Sequence, residues 1–224
     1  MENTKIIEFN GLPGCGKTTL CNEFIRQSPG KRISFIYFVS DEIKRIPFFA
    51  RVTNFPYKAC FWVLCMFFTT PLLPLKEIRI YKNTLKFVIN YRFAHLLNQY
   101  DFLLEDHGLI QCVVSFFYRR EKYFKPFHSW LVQRLYLEIK PTVIVFCNIS
   151  AQIAIKRMEK RNRNAGRIDR IKDSSEKLSA LEKQNIFFDI IIKKIEIGSG
   201  TELLCLNMEN STEAICRDLL AKMI

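Results

Sequence analysis

The sequence lacks the features that mark secreted, disulfide-bonded and zinc-binding proteins. Its eight cysteines include no C-x-x-C pair, and it contains only three histidines. Several of the cysteines lie inside apolar runs, where a free thiol behaves as a small hydrophobic side chain. The N-terminus also lacks the organisation of a signal peptide. We therefore expect a cytoplasmic protein with reduced cysteines and no structural zinc site.

Apolar runs long enough to cross a membrane are missing as well. Residues 59–73 carry no charge, but these fifteen residues are followed closely by Pro74 and already contain Pro71. As a helix they would rise only about 22 Å, less than the roughly 30 Å of a hydrocarbon core. We expect a buried core helix here. The alternative is an apolar surface that meets a lipid or a partner protein.

Composition and charge exclude further classes. The 224 residues are 49% hydrophobic and 25% charged, which excludes a disordered chain or a collagen-like fibre. A single domain over residues 1–224 is the simplest organisation for this length. The 34 Lys and Arg residues exceed the 22 Asp and Glu residues and leave a formal charge of +12. This charge favours anionic partners, so contact with nucleic acid or a membrane stays open but is not favoured.

Five short segments of apolar, β-branched and aromatic residues alternate with helical patterns. They cover residues 5–10, 32–40, 101–106, 142–147 and 201–208. Helical patterns over residues 41–99 break near Pro47, Pro56, Pro71 and Pro74. Alternating strands and helices predict an α/β fold, in which a parallel sheet lies between two layers of helices. Ligands of such folds bind beyond the carboxyl ends of the strands.

The most specific motif lies between the first strand and the first helix. Residues 11–18 match G-x-x-x-x-G-K-[ST], a loop whose backbone N–H groups bind phosphate oxygens. Lys17 would bridge the β- and γ-phosphates of ATP, and the Thr18 hydroxyl would bind Mg²⁺. The predicted nucleotide-binding residues are Gly11, Leu12, Pro13, Gly14, Cys15, Gly16, Lys17, Thr18 and Thr19. The sequence has no Asn-Lys-x-Asp and no Ser-Gly-Gly-Gln, which argues against GTPases and transporter ATPases.

The third predicted strand ends on acidic residues. Glu105 and Asp106 are both candidates to anchor Mg²⁺, and they point to opposite faces if the chain is extended there. We favour Asp106 because it directly precedes His107 and Gly108. Glu105 and His107 are candidate substrate contacts.

Two more acids follow the second strand. Asp41 or Glu42 could accept the proton of an attacking hydroxyl group or hold the substrate. The alternative is ordinary helix chemistry, with Ser40 as the N-cap residue and the acids in the first turn. The residue types alone do not decide between these interpretations.

A basic segment covers residues 157–172. Its candidate catalytic residues are Arg157, Arg161, Arg163 and Arg167. Cations on a closing segment can neutralise the charge of a transferring phosphoryl group and exclude water, so we interpret this segment as a lid. A solvated basic face or a nucleic-acid patch is the alternative.

Taken together, these features resemble the P-loop nucleoside and nucleotide kinases, and the thymidylate-kinase-like group in particular. The resemblance rests on residues 11–18, on Asp41 and Glu42, on residues 105–108 and on the basic segment. It implies the strand order 2-3-1-4-5, Mg-ATP as the phosphoryl donor, and an acceptor bound under the helices of residues 41–100.

The leading hypothesis is therefore an ATP-dependent kinase that transfers the γ-phosphoryl group to a small molecule such as a nucleoside or nucleotide. One alternative keeps this chemistry with a polynucleotide end or a lipid alcohol as the acceptor. Another is a nucleotide-dependent switch that regulates a partner without an acceptor. The identity of the acceptor and the formation of a homodimer are left open by the sequence.

Overall fold

The structure, a computed structural model, describes residues 4–69, 75–117, 124–160, 168, 170–198 and 201–223. Five parallel strands form one sheet in the order β2-β3-β1-β4-β5, as the resemblance implies. The strands are β1 (Lys5–Gly11), β2 (Ile33–Phe35), β3 (Phe102–Glu105), β4 (Val143–Asn148) and β5 (Glu202–Asn207). Because all five strands run the same way, their carboxyl ends share one edge of the sheet.

Helices follow each strand and flank the sheet. They are α1 (Lys17–Arg26), α2 (Ser40–Arg45), α3 (Phe48–Thr53), α4 (Tyr57–Phe68), α5 (Leu75–Ala94), α6 (Leu109–Phe117), α7 (Pro126–Ile139), α8 (Ala151–Lys160), α9 (Ser174–Gly198) and α10 (Thr212–Met223). The strongest contacts between helices fall into two groups, one of α1 with α10 and one in which α7 contacts both α4 and α9. These are the two helical layers that the alternating pattern predicts.

Most side chains at the centre of the sheet are apolar and buried. Fully buried side chains of β1, β3 and β4 include Ile6, Ile7, Leu103, Leu104, Ile144 and Val145. Burial of each such side chain stabilises the fold by about 1.5–3 kcal/mol relative to an exposed one. The packing of this core fixes where the carboxyl ends of β1 and β3 lie at the edge of the sheet. It therefore also fixes the positions of the residues that follow these strands.

The second strand is shorter than the sequence pattern predicts. The expected strand over residues 32–40 forms only at Ile33–Phe35, and the chain then turns, with the Phe38 N–H donating to the Phe35 carbonyl. Strand β2 lies at the sheet edge and pairs only with β3. The apolar pattern continues into the turn, where Val39 is buried while Tyr37 and Phe38 are exposed. The apolar pattern therefore did not show where the edge strand ends and the packed turn begins.

The uncharged segment that begins at residue 59 is only partly a core helix. Helix α4 buries Ala59, Val63, Met66 and Phe67, but its opposite face is exposed. That face carries Tyr57, Phe61, Leu64 and Phe68 at helical spacing, and Phe68 is 84% exposed. The expectation of a buried helix therefore holds for one face only, because α5 and α7 cover a single side of α4. Residues 70–74 lie outside the described part of the chain.

Within the described part of the chain, no helix combines the length and the apolar character needed to cross a membrane.

Candidate functional site

The phosphate loop after β1 has the backbone that its glycines allow. Gly11, Gly14 and Gly16 all have positive φ angles, of 146°, 85° and 102°. A Cβ atom on Gly11 would lie 2.5 Å from the Cys147 carbonyl oxygen, and one on Gly14 would lie 2.6 Å from that of Ala154. Side chains are therefore excluded at both positions by strain and by contact. The loop packs directly on β4 and α8.

The amino end of α1 provides anion-binding donors. Gly16 occupies the N-cap position and makes no side-chain cap, so the first N–H groups of α1 have no capping side chain. Lys17 is buried and its ammonium group donates to the carbonyl oxygens of Gly11 and Leu12, at 2.8 and 3.0 Å. Its charge therefore lies inside the curve of the loop, beside the helix dipole. This arrangement suits a phosphate group.

Thr18 and Asp106 meet across the edge of the sheet. The Thr18 hydroxyl donates to Asp106 Oδ2 at 2.9 Å, although 88 residues separate them. Asp106 is buried and follows β3, which lies next to β1. A hydroxyl and a carboxylate in contact are the protein oxygens that Mg²⁺ uses when nucleotide phosphates complete its coordination. The role of Asp106 as the metal anchor stays a prediction, and this hydrogen bond favours it over Glu105.

Glu105 is buried at the end of β3 and accepts a hydrogen bond from the backbone N–H of His107 at 3.1 Å. Desolvation, together with the nearby Asp106 and Glu8 carboxylates, raises the pKa of Glu105 to about 8 against the opposing His107 bond. A carboxyl group with this pKa exchanges its proton near neutral pH. Glu105 therefore fits a proton-transfer role better than a permanent charge.

Glu8, which the sequence analysis did not single out, lies against Gly108 and supports the turn that follows β3. It lies within β1, in register with Glu105, and is fully buried. Tyr136 donates to Glu8 Oε1 at 2.6 Å and Asn10 donates to the same atom at 3.0 Å. Burial raises the pKa of Glu8, against these two hydrogen bonds. A glutamate inside a buried parallel strand was the signal that could have revealed it.

Gly108 is where Glu8 reaches the site. A Cβ atom at Gly108 would overlap the Glu8 carboxyl group, at 2.0 Å from Oε1. The chain can therefore pass over Glu8 only with glycine at this position. Asn10 adds a second tie, because its Oδ1 accepts the Gln111 N–H at 3.1 Å and so holds the first turn of α6 against β1. The Glu105–Gly108 turn is fixed from both ends.

His107 and Tyr37 border the two carboxylates. Desolvation and the Lys17 ammonium lower the pKa of His107, against the opposing Asp106. Desolvation, followed by the Asp106 charge, raises the pKa of Tyr37, so its hydroxyl group lies within electrostatic range of that carboxylate. His107 is thus close to the site, and its contact with a substrate stays a prediction. Tyr37 was missed because its segment had the pattern of a strand.

Asp41 and Glu42 are not brought to this cluster. Asp41 is exposed and pairs with Lys44 at 2.6 Å. Glu42 accepts from Tyr100 at 2.7 Å and from Gln99, which both precede β3 and so lie toward its amino end. A pocket of about 340 Å³ lies beside Glu42 and Gln99. The catalytic role predicted for the two acids stays a prediction that these contacts do not support.

Of the predicted arginines, Arg157 lies in the described part of the chain. From α8 its guanidinium group donates to the Cys15 carbonyl at 3.0 Å and to the Met208 carbonyl at 2.8 Å. It therefore ties the phosphate loop to the segment after β5. Arg161, Arg163 and Arg167 lie outside the described residues, and their role in a lid stays a prediction.

We predict a pH-dependent loss of stability that is specific to Glu105. Folded protein keeps the Glu105 proton up to about pH 8, whereas unfolded chain releases it near the ordinary pKa of 4.5. The folded state binds more protons between these values. The free energy of unfolding should therefore fall as the pH rises, by about 1.4 kcal/mol per pH unit from this group. Above the folded pKa both states are ionised and this contribution ends.

Urea unfolding of the wild type and of Glu105→Gln across this range measures the effect. The variant can still accept the His107 hydrogen bond but does not titrate, so its stability should decline less steeply with pH. Glu209→Gln, which changes an exposed glutamate, should keep the wild-type slope. Equal slopes in the wild type and Glu105→Gln would show that Glu105 titrates alike in both states.

No protein family model matches the chain, and no curated protein matches it in sequence. Its structure is similar to deoxyadenosine kinase from M. mycoides. The form of that enzyme with bound dATP aligns over 97% of this chain and 98% of its own, at 14% identity and a TM-score of 0.52. The form with bound dCTP covers the same shares at 12% identity and a TM-score of 0.49.

At these identities the similarity concerns the fold alone. The dATP-bound structure aligns with nearly the whole of this chain. Two features define the fold of this chain: the strand order β2-β3-β1-β4-β5 and the phosphate loop between β1 and α1. The chain therefore has the P-loop kinase fold, with a parallel five-stranded sheet between two layers of helices.

Proposed function

We propose that the protein is an ATP-dependent kinase that transfers the γ-phosphoryl group of Mg-ATP to a hydroxyl group of a small molecule of the nucleoside class. The observation that carries the proposal is the Thr18–Asp106 hydrogen bond beside the phosphate loop. A Gly-rich loop alone supports phosphate binding. A hydroxyl from α1 against a buried carboxylate from β3 adds the magnesium ligands that phosphoryl transfer requires.

The acceptor class rests on the fold and on the form of the site. The similar solved enzyme is a deoxyadenosine kinase that was found with bound dATP and dCTP. In the present chain, Tyr37 and His107 border the carboxylates and offer an aromatic ring and an imidazole to an acceptor. Rings at this position suit a flat base or a sugar better than a charged polymer. The assignment to a thymidylate-kinase-like group has no such support, so we propose the broader nucleoside class.

Each residue has a distinct task in this proposal. Bound Mg²⁺ would supply neutralisation of phosphate charge, with Thr18 and Asp106 as its protein contacts. Lys17 holds the terminal phosphates as a point charge, and the N–H groups of α1 hold their oxygens. Glu105, rather than Asp41 or Glu42, accepts the proton of the acceptor hydroxyl, because it lies beside Asp106 with a pKa of about 8. Arg157 positions the loop.

We predict that Lys17→Ala abolishes acceptor-dependent release of ADP while the protein stays folded. The ammonium group lies within the loop and backbone amides cannot replace its charge. The test is a panel of purine and pyrimidine nucleosides, in ribose and deoxyribose forms, with ADP release and the mass of the phosphorylated product as readouts. Circular dichroism confirms folding.

Lys31→Ala removes the same charge from an exposed loop and serves as the matched control, with wild-type turnover expected. Full activity in a folded Lys17→Ala variant would contradict the kinase proposal. If the wild type hydrolyses ATP slowly and no acceptor stimulates the reaction, the nucleotide-dependent switch would be favoured instead.

We also propose that a second copy of the chain covers the exposed face of α4. Phe61, Leu64 and Phe68 continue onto α7, where Trp130 packs edge-on against Trp62 at 5.1 Å. Residues 59–69 contain no charged residue. Over residues 59–69 an isologous contact therefore brings apolar surface onto apolar surface without opposing like charges, and it removes an exposed patch that is unfavourable in water.

Phe61→Glu places two acids near the axis of such a dimer, so we predict that it converts a dimer into a monomer. Phe48 lies on α3, outside the exposed face of α4, and is 75% exposed. The Phe48→Glu variant carries the same change there and should stay dimeric. Sedimentation velocity measures both against the 26.5 kDa of one chain. A monomeric wild type, or equal behaviour of the two variants, would contradict this arrangement.

A further inference from the structure

Two cysteines meet at the phosphate loop. Cys15 lies within the loop, and Cys147 lies in β4 in register with Gly11. The two thiols are near enough to shift each other's pKa: Cys147 lowers the pKa of Cys15, and Cys15 raises that of Cys147. A Cβ atom on Gly11 would lie 3.1 Å from Cys15 Sγ and 3.2 Å from Cys147 Cβ, so the two side chains converge over this glycine. The absence of a side chain at Gly11 leaves room for both cysteine side chains.

Lys17 favours the reactive thiolate form of Cys15. Its ammonium group lies 3.5 Å from Cys15 Sγ. Burial acts to raise the pKa of Cys15, but the Cys147 hydrogen bond and the Lys17 charge together lower it to about 6. The thiolate, which is the nucleophilic form, is thus favoured at neutral pH. Other thiols differ: burial raises the pKa of Cys112 to about 12 and that of Cys216 to about 11.

We propose that Cys15 and Cys147 form a reversible disulfide in response to a hydroperoxide, and that this bond switches off nucleotide binding at the phosphate loop. The Cys15 thiolate attacks the hydroperoxide, ROOH, at an oxygen atom, which breaks the O–O bond and releases ROH after protonation. Cys147 then attacks the sulfur of the resulting sulfenic acid. Its thiol proton leaves with the hydroxyl group as water, so two thiols and ROOH yield a disulfide, ROH and water.

The disulfide changes the loop in two ways. It replaces the thiolate that Lys17 contacts, which removes one partner of the lysine that binds phosphate. It also draws Cys15 toward β4, because bonded sulfur atoms are about 2.05 Å apart, closer than any hydrogen-bonded pair. The Cys15 N–H donates to the Leu12 carbonyl at 3.2 Å, so movement of Cys15 is passed to the rest of the loop. The N–H groups then no longer converge on a phosphate.

Burial sets the conditions of the reaction. Cys15 is 0% and Cys147 is 1% exposed, so an oxidant reaches them only when the loop opens. The neighbouring Thr18 and Thr19 are exposed, which places the pair one turn from solvent. A nucleotide that holds the loop closed should slow oxidation. Protection by ligand is therefore part of the expected result.

The effect on nucleotide binding rests on the proposed function, whereas the thiol chemistry does not. The full-length reduced protein is treated with hydrogen peroxide, alkylated, and mapped by mass spectrometry. Affinity for a fluorescent ATP analogue is measured before and after oxidation, and again after dithiothreitol. We expect a Cys15–Cys147 crosslink, a loss of affinity of about tenfold or more, recovery on reduction, and slower crosslinking with Mg-ATP.

Cys147→Ser keeps a hydrogen-bonding group but cannot form the disulfide, so peroxide should leave Cys15 as a sulfenic acid that dimedone traps. Cys216→Ser, a buried cysteine of α10 remote in sequence from the loop, should crosslink like the wild type. The proposal is overturned if Cys15 and Cys147 do not crosslink, if the crosslink leaves affinity unchanged, or if Cys147→Ser loses affinity as the wild type does. A reduced protein that binds no nucleotide overturns the proposed function, and the crosslink still decides the thiol chemistry.

Discussion

The hydrogen bond from Thr18 to Asp106 joins the two segments on which the site depends. Thr18 belongs to the first turn of α1 and Asp106 follows β3, and the parallel pairing of β1 with β3 brings them to the same edge. A change in strand order or register would separate them, because the carboxyl ends of neighbouring strands lie closest together along the shared edge of a parallel sheet. The Lys17 ammonium lies within the same loop, so cation, hydroxyl and carboxylate are held together before a ligand arrives. Such preorganisation reduces the cost of binding and catalysis.

A buried acid supports this arrangement. Glu8 occupies a central strand, where an apolar residue would be less costly, and Tyr136 and Asn10 satisfy its Oε1 atom. In return, the buried polar residues fix the position of the chain after β3. Glu8 leaves room only for glycine at residue 108, and Asn10 holds the start of α6. The same burial, together with the neighbouring carboxylates, raises the pKa of Glu105 to about 8, so that its carboxyl group exchanges a proton near neutral pH. Stability and proton transfer are therefore linked through groups that the apolar core surrounds.

The sequence predicted those parts of the fold and site that depend on local patterns. The phosphate loop, the five strands and the acids after β3 all follow from short motifs, and strand periodicity located β1, β3, β4 and β5 closely. Local patterns failed where tertiary packing decides. The turn at Tyr37 continued the apolar run of an edge strand, and the exposed face of α4 has the composition of a core. Glu42 lies in the expected first turn of a helix, but its partners come from residues 99 and 100, which no local pattern indicates.

The central claim is that Thr18 and Asp106 act together on the magnesium of a bound nucleotide. A double-mutant cycle with Thr18→Val, Asp106→Asn and the double variant, measured as the dissociation constant of ATP with Mg²⁺ and with EDTA, tests it most directly. The account predicts that each single change weakens Mg-ATP binding by about tenfold, that the double change costs little more, and that metal-free ATP binds all four proteins within about twofold. Additive losses, or equal losses with and without Mg²⁺, would contradict it.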